Sequence, residues 1–470
     1  MNHLEQAEKT AKHLNHKDTV SFIRGLKSKR VFKIKSKFPT IEGIKCEIVK
    51  SDRCFKFECD GLSSSVSPVV YQSEHYGYGD PFELVNDNER ILIQNGIGKI
   101  SMKLAKRFAS EGEFWEVESN FRKTPCCHRA IISLDGFYKP PVEFIQSGSF
   151  RIGDSLRVAG FINLTISEYP IGFYDYNIDE KKSIFIDCYA PIKSDLFQKI
   201  IESIVYSYAL VSGCLIRGEI TILQSESASF DLITGYQFAR LDDSLHGVAA
   251  IDPRMAKEFF KSKTTSYMPS DNFRGMIQKA LDDVRFLRAI KIITESFGNP
   301  SEIRTATYSV ALETLKNIIL ENNETKINPI KSKADAKKII SDFKSMISPL
   351  DDKLFNNKNA ILTKLEHLNQ VTNSDSFLLS FSLQGITLSH EDEKCIEMRN
   401  DFLHGRIPFQ NEKAFDEEEL NRTVFKFHFL VTALIFKMVS YKGYLINNVK
   451  MIDVLRYKKY DSNTPLFREI

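Results

Sequence analysis

The chain has 470 residues, 42% apolar and 27% charged, and 64 Lys and Arg against 61 Asp and Glu leave a formal charge of only +3. That length exceeds what one hydrophobic core usually serves, so two or three domains are expected; the composition excludes long disordered tracts, and the net charge neither requires nor forbids a nucleic-acid partner. The cysteines are scattered, no secretory leader opens the sequence, and the longest apolar stretch, 427–441, contains His428 and Lys437. Reduced thiols, a cytoplasmic location and no membrane contact are the expectations.

The spacing of apolar and turn residues predicts an α+β chain: a β-rich N-terminal domain over 1–250, serving as sensor or recruiter, and a helical region over 251–470. Near the start, Arg24, Lys27, Lys29, Arg30, Lys33, Lys35 and Lys37 come with no acid among them. Phe32, Ile34 and Phe38 alternate with the last three lysines, so a strand there buries these three and shows a lysine row. That row is read as a solvated sheet edge, with phosphate binding as the competing role. Strands are predicted at 90–100, with a hairpin turn at Asn95-Gly96, and at 114–118, 129–134, 156–161 and 183–187. A helix over 194–211 packs on the sheet before a last strand at 214–223. Cys126-Cys127-His128 with Cys54 and Cys59 fits no common zinc spacing, so no metal is expected.

After about residue 250 the apolar spacing becomes three and four. Helices are predicted through one continuous stripe from Met276 to Ile293, over 303–320 behind a Ser301 cap, and over 333–347, 352–368, 389–404 and 416–440. Asn373-Ser374 is read as a break. Lys326, Lys331, Lys333, Lys337 and Lys338 form a basic cluster, and Lys331, Lys333, Lys337 and Lys338 are taken as candidate RNA contacts.

The segment Ser389-His-Glu-Asp-Glu-Lys-Cys-Ile-Glu-Met-Arg-Asn-Asp-Phe-Leu-His404-Gly is marked at both ends: Ser389 suits the N-cap, acids fill the first turn, and Gly405 suits the C-terminal cap. The neighbours of Arg399 at spacings of three and four are Cys395, Ile396, Phe402 and Leu403. A guanidinium on an apolar stripe demands an anion, inside the chain or across an interface. Asn400 and His404 share one edge of the helix, while five residues separate Arg399 from His404 by roughly 140°. Their convergence therefore needs the helix end or a second subunit. Looser Arg-to-His spacings at Arg122/His128, Arg240/His246 and Arg422/His428 lack this context.

Arg399-Asn-Asp-Phe-Leu-His404-Gly resembles the Arg-polar-x-x-x-His motif of the HEPN superfamily, and Thr305–Leu315 resembles the first core helix of ApeA-like HEPN proteins, with the domain core at about 270–445. The resemblance implies an all-α helical bundle behind a β-rich region and a role in prokaryotic defence against phage, released by a phage-derived or cellular trigger. It also implies a metal-independent, cofactor-free endoribonuclease that leaves a 2′,3′-cyclic phosphate and acts as a homodimer. Arg399, His404 and Asn400 would then be catalytic, with Glu313 and Asp401 as support. Two other readings stand beside it: a non-catalytic HEPN scaffold that binds nucleotide or protein, and a ligand-binding β-domain with a structural helical dimerisation domain.

Overall fold

In the computed structural model the described residues are 16–35, 42–51, 53–62, 76–77, 82–103, 107–134, 150–152, 155–157, 161–179, 181–252, 267–323, 328–369, 372–406, 410–411, 414–458 and 465–470. The chain is α+β, a β-rich N-terminal region followed by a helical one, and it divides into two compact units, Met1–Leu281 and Asp282–Ile470.

In the first unit six antiparallel strands pair in a ring: β1 (Arg30–Lys35), β2 (Lys45–Ser51), β3 (Cys54–Leu62), β7 (Arg107–Ser119), β6 (Arg90–Lys103), β5 (Phe82–Val85) and back to β1. The short β4 (Tyr76–Gly77) adds to β6. β6 runs along one edge of β7. The other edge pairs with β3 over 107–114 and then with β16 (Ile233–Arg240) over 116–119. From β16 an open sheet continues through β15 (Glu219–Ser225), β8 (Cys126–Ser133), β13 (Lys181–Ile192), β12 (Tyr169–Ile178) and β11 (Phe161–Ile166). β9 (Phe150–Ile152) pairs with β10 (Ser155–Arg157), and β14 (Cys214–Leu215) with β17 (Leu245–His246).

Ring and sheet share one core, in which α1 (Lys17–Leu26) seats Ile23 and Leu26 beside Phe32, Phe55, Phe185 and Tyr236. The opposite face of β8 lies under α2 (Ser194–Ser212), so both faces are covered and the strand reads as an unbroken buried run. In the core Arg129 of β8 pairs through two nitrogens with Asp187, its register neighbour on β13; both side chains are fully buried. Arg129 also donates to the Thr19 hydroxyl, and the Tyr174 hydroxyl donates to Asp187, so this ion pair satisfies the partners that a buried charge requires.

Several expectations are corrected. Asn95-Gly96 is no hairpin turn: β6 continues through it with a bulge, where a residue without Cβ suits the irregular register. β1 is not an edge strand, since it lies between β2 and β5, and its basic border is balanced by Glu47 against Lys29 and Glu83 against Lys35. Phe32 and Ile34 are buried as expected, while Phe38 and Lys37 lie outside the described residues. The stripe from Met276 to Ile293 belongs to two helices, α3 (Ser270–Asp282) and α4 (Val284–Glu295). Asp283 caps the second by accepting from the Arg285 N–H. α3 goes with the first unit, where Phe273 stacks on Phe173 and Gln278 accepts from the Ser167 N–H.

In the second unit α5 (Ser301–Glu321) is the central helix, packed by α4, α8 (Asn373–Leu383), α9 (His390–Leu403) and α10 (Glu417–Met438). Its buried residues, among them Tyr308, Ala311, Leu312, Leu315 and Ile318, cover about half of its circumference, while Ile303, Val310 and Asn317 on the other side are exposed. α6 (Lys333–Ile347) and α7 (Lys358–Glu366) form a hairpin preceding α8. β18 (Gln410–Asn411) pairs with β19 (Ala414–Phe415) after α9, and β20 (Tyr444–Ile446) pairs with β21 (Phe467–Glu469) around α11 (Asn448–Leu455). Among the described residues no helix is long and apolar enough to cross a membrane.

Candidate functional site

α9 is set by its ends. Ser389 and Asp392 form a reciprocal capping box, and Glu391, Asp392 and Glu393 oppose the helix dipole in the first turn. At the other end the Arg406 N–H donates to the Asp401 carbonyl and the Gly405 N–H to that of Phe402, with Gly405 at φ +70. This is a Schellman stop, which favours a residue without Cβ. The buried face runs Asp392, Cys395, Ile396, Arg399, Phe402. Asp392 is held by Arg468 of β21 at 2.9 Å, and that guanidinium lowers the carboxyl's pKa against the opposing effect of burial.

Arg399 lies on the apolar face, as its neighbours require, and is only 3% exposed. One of its terminal nitrogens donates to the Ile396 carbonyl at 2.9 Å, and the guanidinium carbon sits 3.7 Å from the ring centroid of Phe377 in α8. The ammonium of Lys316, from α5, lies 4.4 Å from the same centroid, so one ring touches two cations. Glu313 reaches Lys316 at 3.6 Å and is itself half exposed. Among the described residues no carboxylate lies within ion-pair distance of Arg399. Burial pushes the Arg399 pKa down, with Glu313 and Glu397 opposing from a distance. Burial likewise lowers that of Lys316, and Arg399 adds to the effect while Glu313 opposes it. The site is an electropositive spot walled by an aromatic ring, suited to an anion.

The other candidates are placed differently. His404 is the C-cap residue of α9 and is exposed, as is Asn400. Asp401 is half-buried and meets Arg406 at 3.6 Å. Among the described residues no hydrogen bond or ion pair joins His404 or Asn400 to Arg399. A single chain therefore brings Arg399, Lys316, Glu313 and Phe377 together and leaves His404 and Asn400 exposed to solvent. Lys331, Lys333, Lys337 and Lys338 are exposed around the start of α6, and Lys326 lies outside the described residues.

Two members of this group escaped sequence reasoning. Phe377 sits in α8, a helix the reading treated as a break. Lys316 is three residues after Glu313, and a lysine on a helix whose other neighbours are apolar was the available clue. The remaining Arg–His spacings carry no comparable site: Arg422 is paired with Glu418 and Asp453, and His428 is fully enclosed against Phe297 and Tyr308. His128 is engaged by the Cys126 carbonyl and the Gln224 amide, and the eight cysteines are free and buried.

In the first unit a cleft of about 400 Å³ opens between α2 and the open sheet, floored by Ile132, Ile220, Ile222 and Ala239 with Ile201 and Val205 of α2 as its wall. Its size and apolar lining suit a small apolar ligand. No family model, curated protein or solved structure matches this chain.

Proposed function

We propose that the helical unit is a HEPN-type endoribonuclease that works without a metal and as a symmetric pair of chains. The observation that carries the reading is Arg399: a permanently charged group on an apolar helix face, beside a second cation, with no carboxylate at ion-pair distance among the described residues. Placing such a charge there costs stability, and an anionic substrate is what recovers it.

In the proposed reaction a ribose 2′-oxygen attacks the adjacent phosphorus, the bond from phosphorus to the 5′-oxygen breaks, and the product carries a 2′,3′-cyclic phosphate. The proton leaving the 2′-hydroxyl passes to a base and another is delivered to the departing 5′-oxygen. His404 is the group for proton transfer, with Asn400 orienting the substrate from the same edge. Arg399, with Lys316 beside it, meets the charge that grows on the phosphate oxygens. The two-chain arrangement supplies to the Arg399 of one copy the His404 and Asn400 of the other. The 2′-hydroxyl requirement restricts cleavage to RNA, and Lys331, Lys333, Lys337 and Lys338 are available to its phosphates. Restraint by the β-rich unit until a phage-derived or cellular trigger arrives completes the reading.

The test is cleavage of total RNA and of a defined oligonucleotide in EDTA by wild type, Arg399→Ala and His404→Ala. Wild type is expected to cut and leave cyclic phosphate ends, with both variants reduced by roughly 100-fold or more. Equal cutting by all three removes the mechanism, and loss of cutting in EDTA replaces it with metal chemistry.

A further inference from the structure

α2 packs chiefly on β8 and β13, with Phe197 against His128 and Tyr208 against Phe173. The sheet face beneath it continues past the helix onto β15 and β16. Ile132 of β8 stands opposite Ile220 of β15, and Ile220 and Ile222 stand opposite Ala239 and Gln237 of β16. Residues opposite one another share a face, so a helix seated off centre leaves an apolar floor beside its flank. That floor, with Ile201 and Val205 of the helix as its wall, is the cleft of about 400 Å³.

The two ends of the cleft differ in charge. At one end the Gln198 side-chain nitrogen donates to the Gln237 side-chain oxygen at 2.8 Å, a neutral bridge from helix to strand. At the other, where the Leu241 N–H donates to the Gly218 carbonyl, stands Arg217. Its backbone is fixed from both sides, since its N–H donates to the Ser244 hydroxyl and that hydroxyl donates to its carbonyl. Its guanidinium meets Asp242 at 3.8 Å, too far for a hydrogen bond, and the Asp242 side chain is 91% exposed, so this contact is a weak, solvated one. Glu202, the remaining charged group of the lining, stands on the helix one turn from Gln198.

We propose that this cleft binds a linear medium-chain carboxylate, with its alkyl chain along the isoleucine floor and its carboxylate at Arg217. The length fits such a chain: from Gln237 to Leu241 the strand direction covers roughly 13 Å at about 3.3 Å per residue. An extended alkyl chain advances roughly 1.25 Å per carbon, so about ten carbons span the floor. The lining between the ends is apolar, and covering it removes both chain and floor from water. Arg217 is the one cation among the lining residues, it cannot shed its charge, and its planar fork matches a carboxylate through two parallel N–H bonds. Glu202 repels an anionic head from the amide end, which fixes the orientation. A cationic head is less well served, because Asp242 already stands in water and Arg217 repels it. The inference does not rest on the ribonuclease reading, since the cleft lies wholly within the first unit and binding is measured without RNA.

The experiment is isothermal titration calorimetry on the full RNA-free chain with decanoate, decanol and decylamine, each below its micellar concentration. Decanoate is expected to bind once per chain with a Kd on the order of 10 μM, decanol roughly tenfold more weakly, and decylamine more weakly than decanol. Arg217→Gln is expected to lower the affinity for decanoate to that for decanol and to leave decanol unchanged. Ala239→Phe, which fills the floor, is expected to abolish binding of both, with circular dichroism checking that the chain is folded. No binding of decanoate to wild type at about 200 μM, several molecules bound per chain, decanol as tight as decanoate, or decylamine tighter than either overturns the inference. So does a folded Arg217→Gln or Ala239→Phe chain that keeps the wild-type affinity for decanoate. The three probes on wild type give the answer even where a variant fails to fold.

Discussion

Lys316 and Arg399 both lie against the ring of Phe377, and two like charges on one phenyl ring are an arrangement that packing alone does not reward. Burial lowers the pKa of both, so the folded chain disfavours both charges at neutral pH. Because Glu313 lies 3.6 Å from the lysine and the Phe377 ring faces it, part of that penalty is offset. Lys316→Met is therefore expected to leave stability within about 1 kcal/mol of wild type or to raise it, and under the proposed ribonuclease reading to lower RNA cleavage by roughly tenfold. Urea melts and initial rates check this, and Lys316→Arg is expected to recover most of the rate. A loss of stability above about 2 kcal/mol would mean that the lysine is structural. Arg399 was legible because its flanking residues are apolar and its charge is permanent. The ring beneath it was not, because a contact between α8 and α9 leaves no trace in local spacing.

At the scale of single elements, legibility followed the caps. α9 was readable from Ser389 to His404 since its N-cap, acidic first turn and glycine stop all agree. α8 is not marked in the sequence, because Asn373-Ser374 suits a turn equally well, although the Thr372 hydroxyl caps the helix by accepting from the Asp375 N–H. Residues of this kind serve turns and helix starts through the same side-chain bonds, and only the long-range packing of Phe377 and Phe381 decides between them. α10 was legible as a buried helix, and it carries a cost. His428 is enclosed with neither ring nitrogen bonded among the described residues, and burial, aided by Arg304, pushes its pKa down to about 4. The unfolded chain takes up this proton near pH 6.5 and the folded chain only near 4. Stability is thus expected to fall as pH drops through that window, by up to about 3 kcal/mol from this group. His428→Phe should flatten that limb in denaturant melts taken from pH 7 to pH 4; an unaltered slope would locate the dependence elsewhere, with His16 and His128 as the next groups to examine, since both are also lowered to about 4.

For the molecule as a whole, the order of a β-rich region before a helical one was legible from the change of period near residue 250. The ring of strands was not. Its closure depends on β5 returning to β1 and on β6 and β3 meeting β7, pairings between distant segments that alternation along each strand cannot specify. β7 has the further property that both of its edges are occupied along nearly its full length, by the ring on one side and by ring and open sheet in succession on the other. Each of its backbone N–H groups faces one neighbour or the other, so exchange along this length needs the ring or the open sheet to come away from β7. Native-state hydrogen exchange is therefore expected to be slowest at 112–119, at rates set by unfolding of the entire first unit, whereas β11 at the sheet margin exchanges through local fraying. Comparable protection in β7 and β11 would show that ring and sheet open separately. Joined in this way, a disturbance at the ring is felt in the sheet as a change in the same equilibrium, so the β-rich unit responds as one cooperative body to whatever it meets.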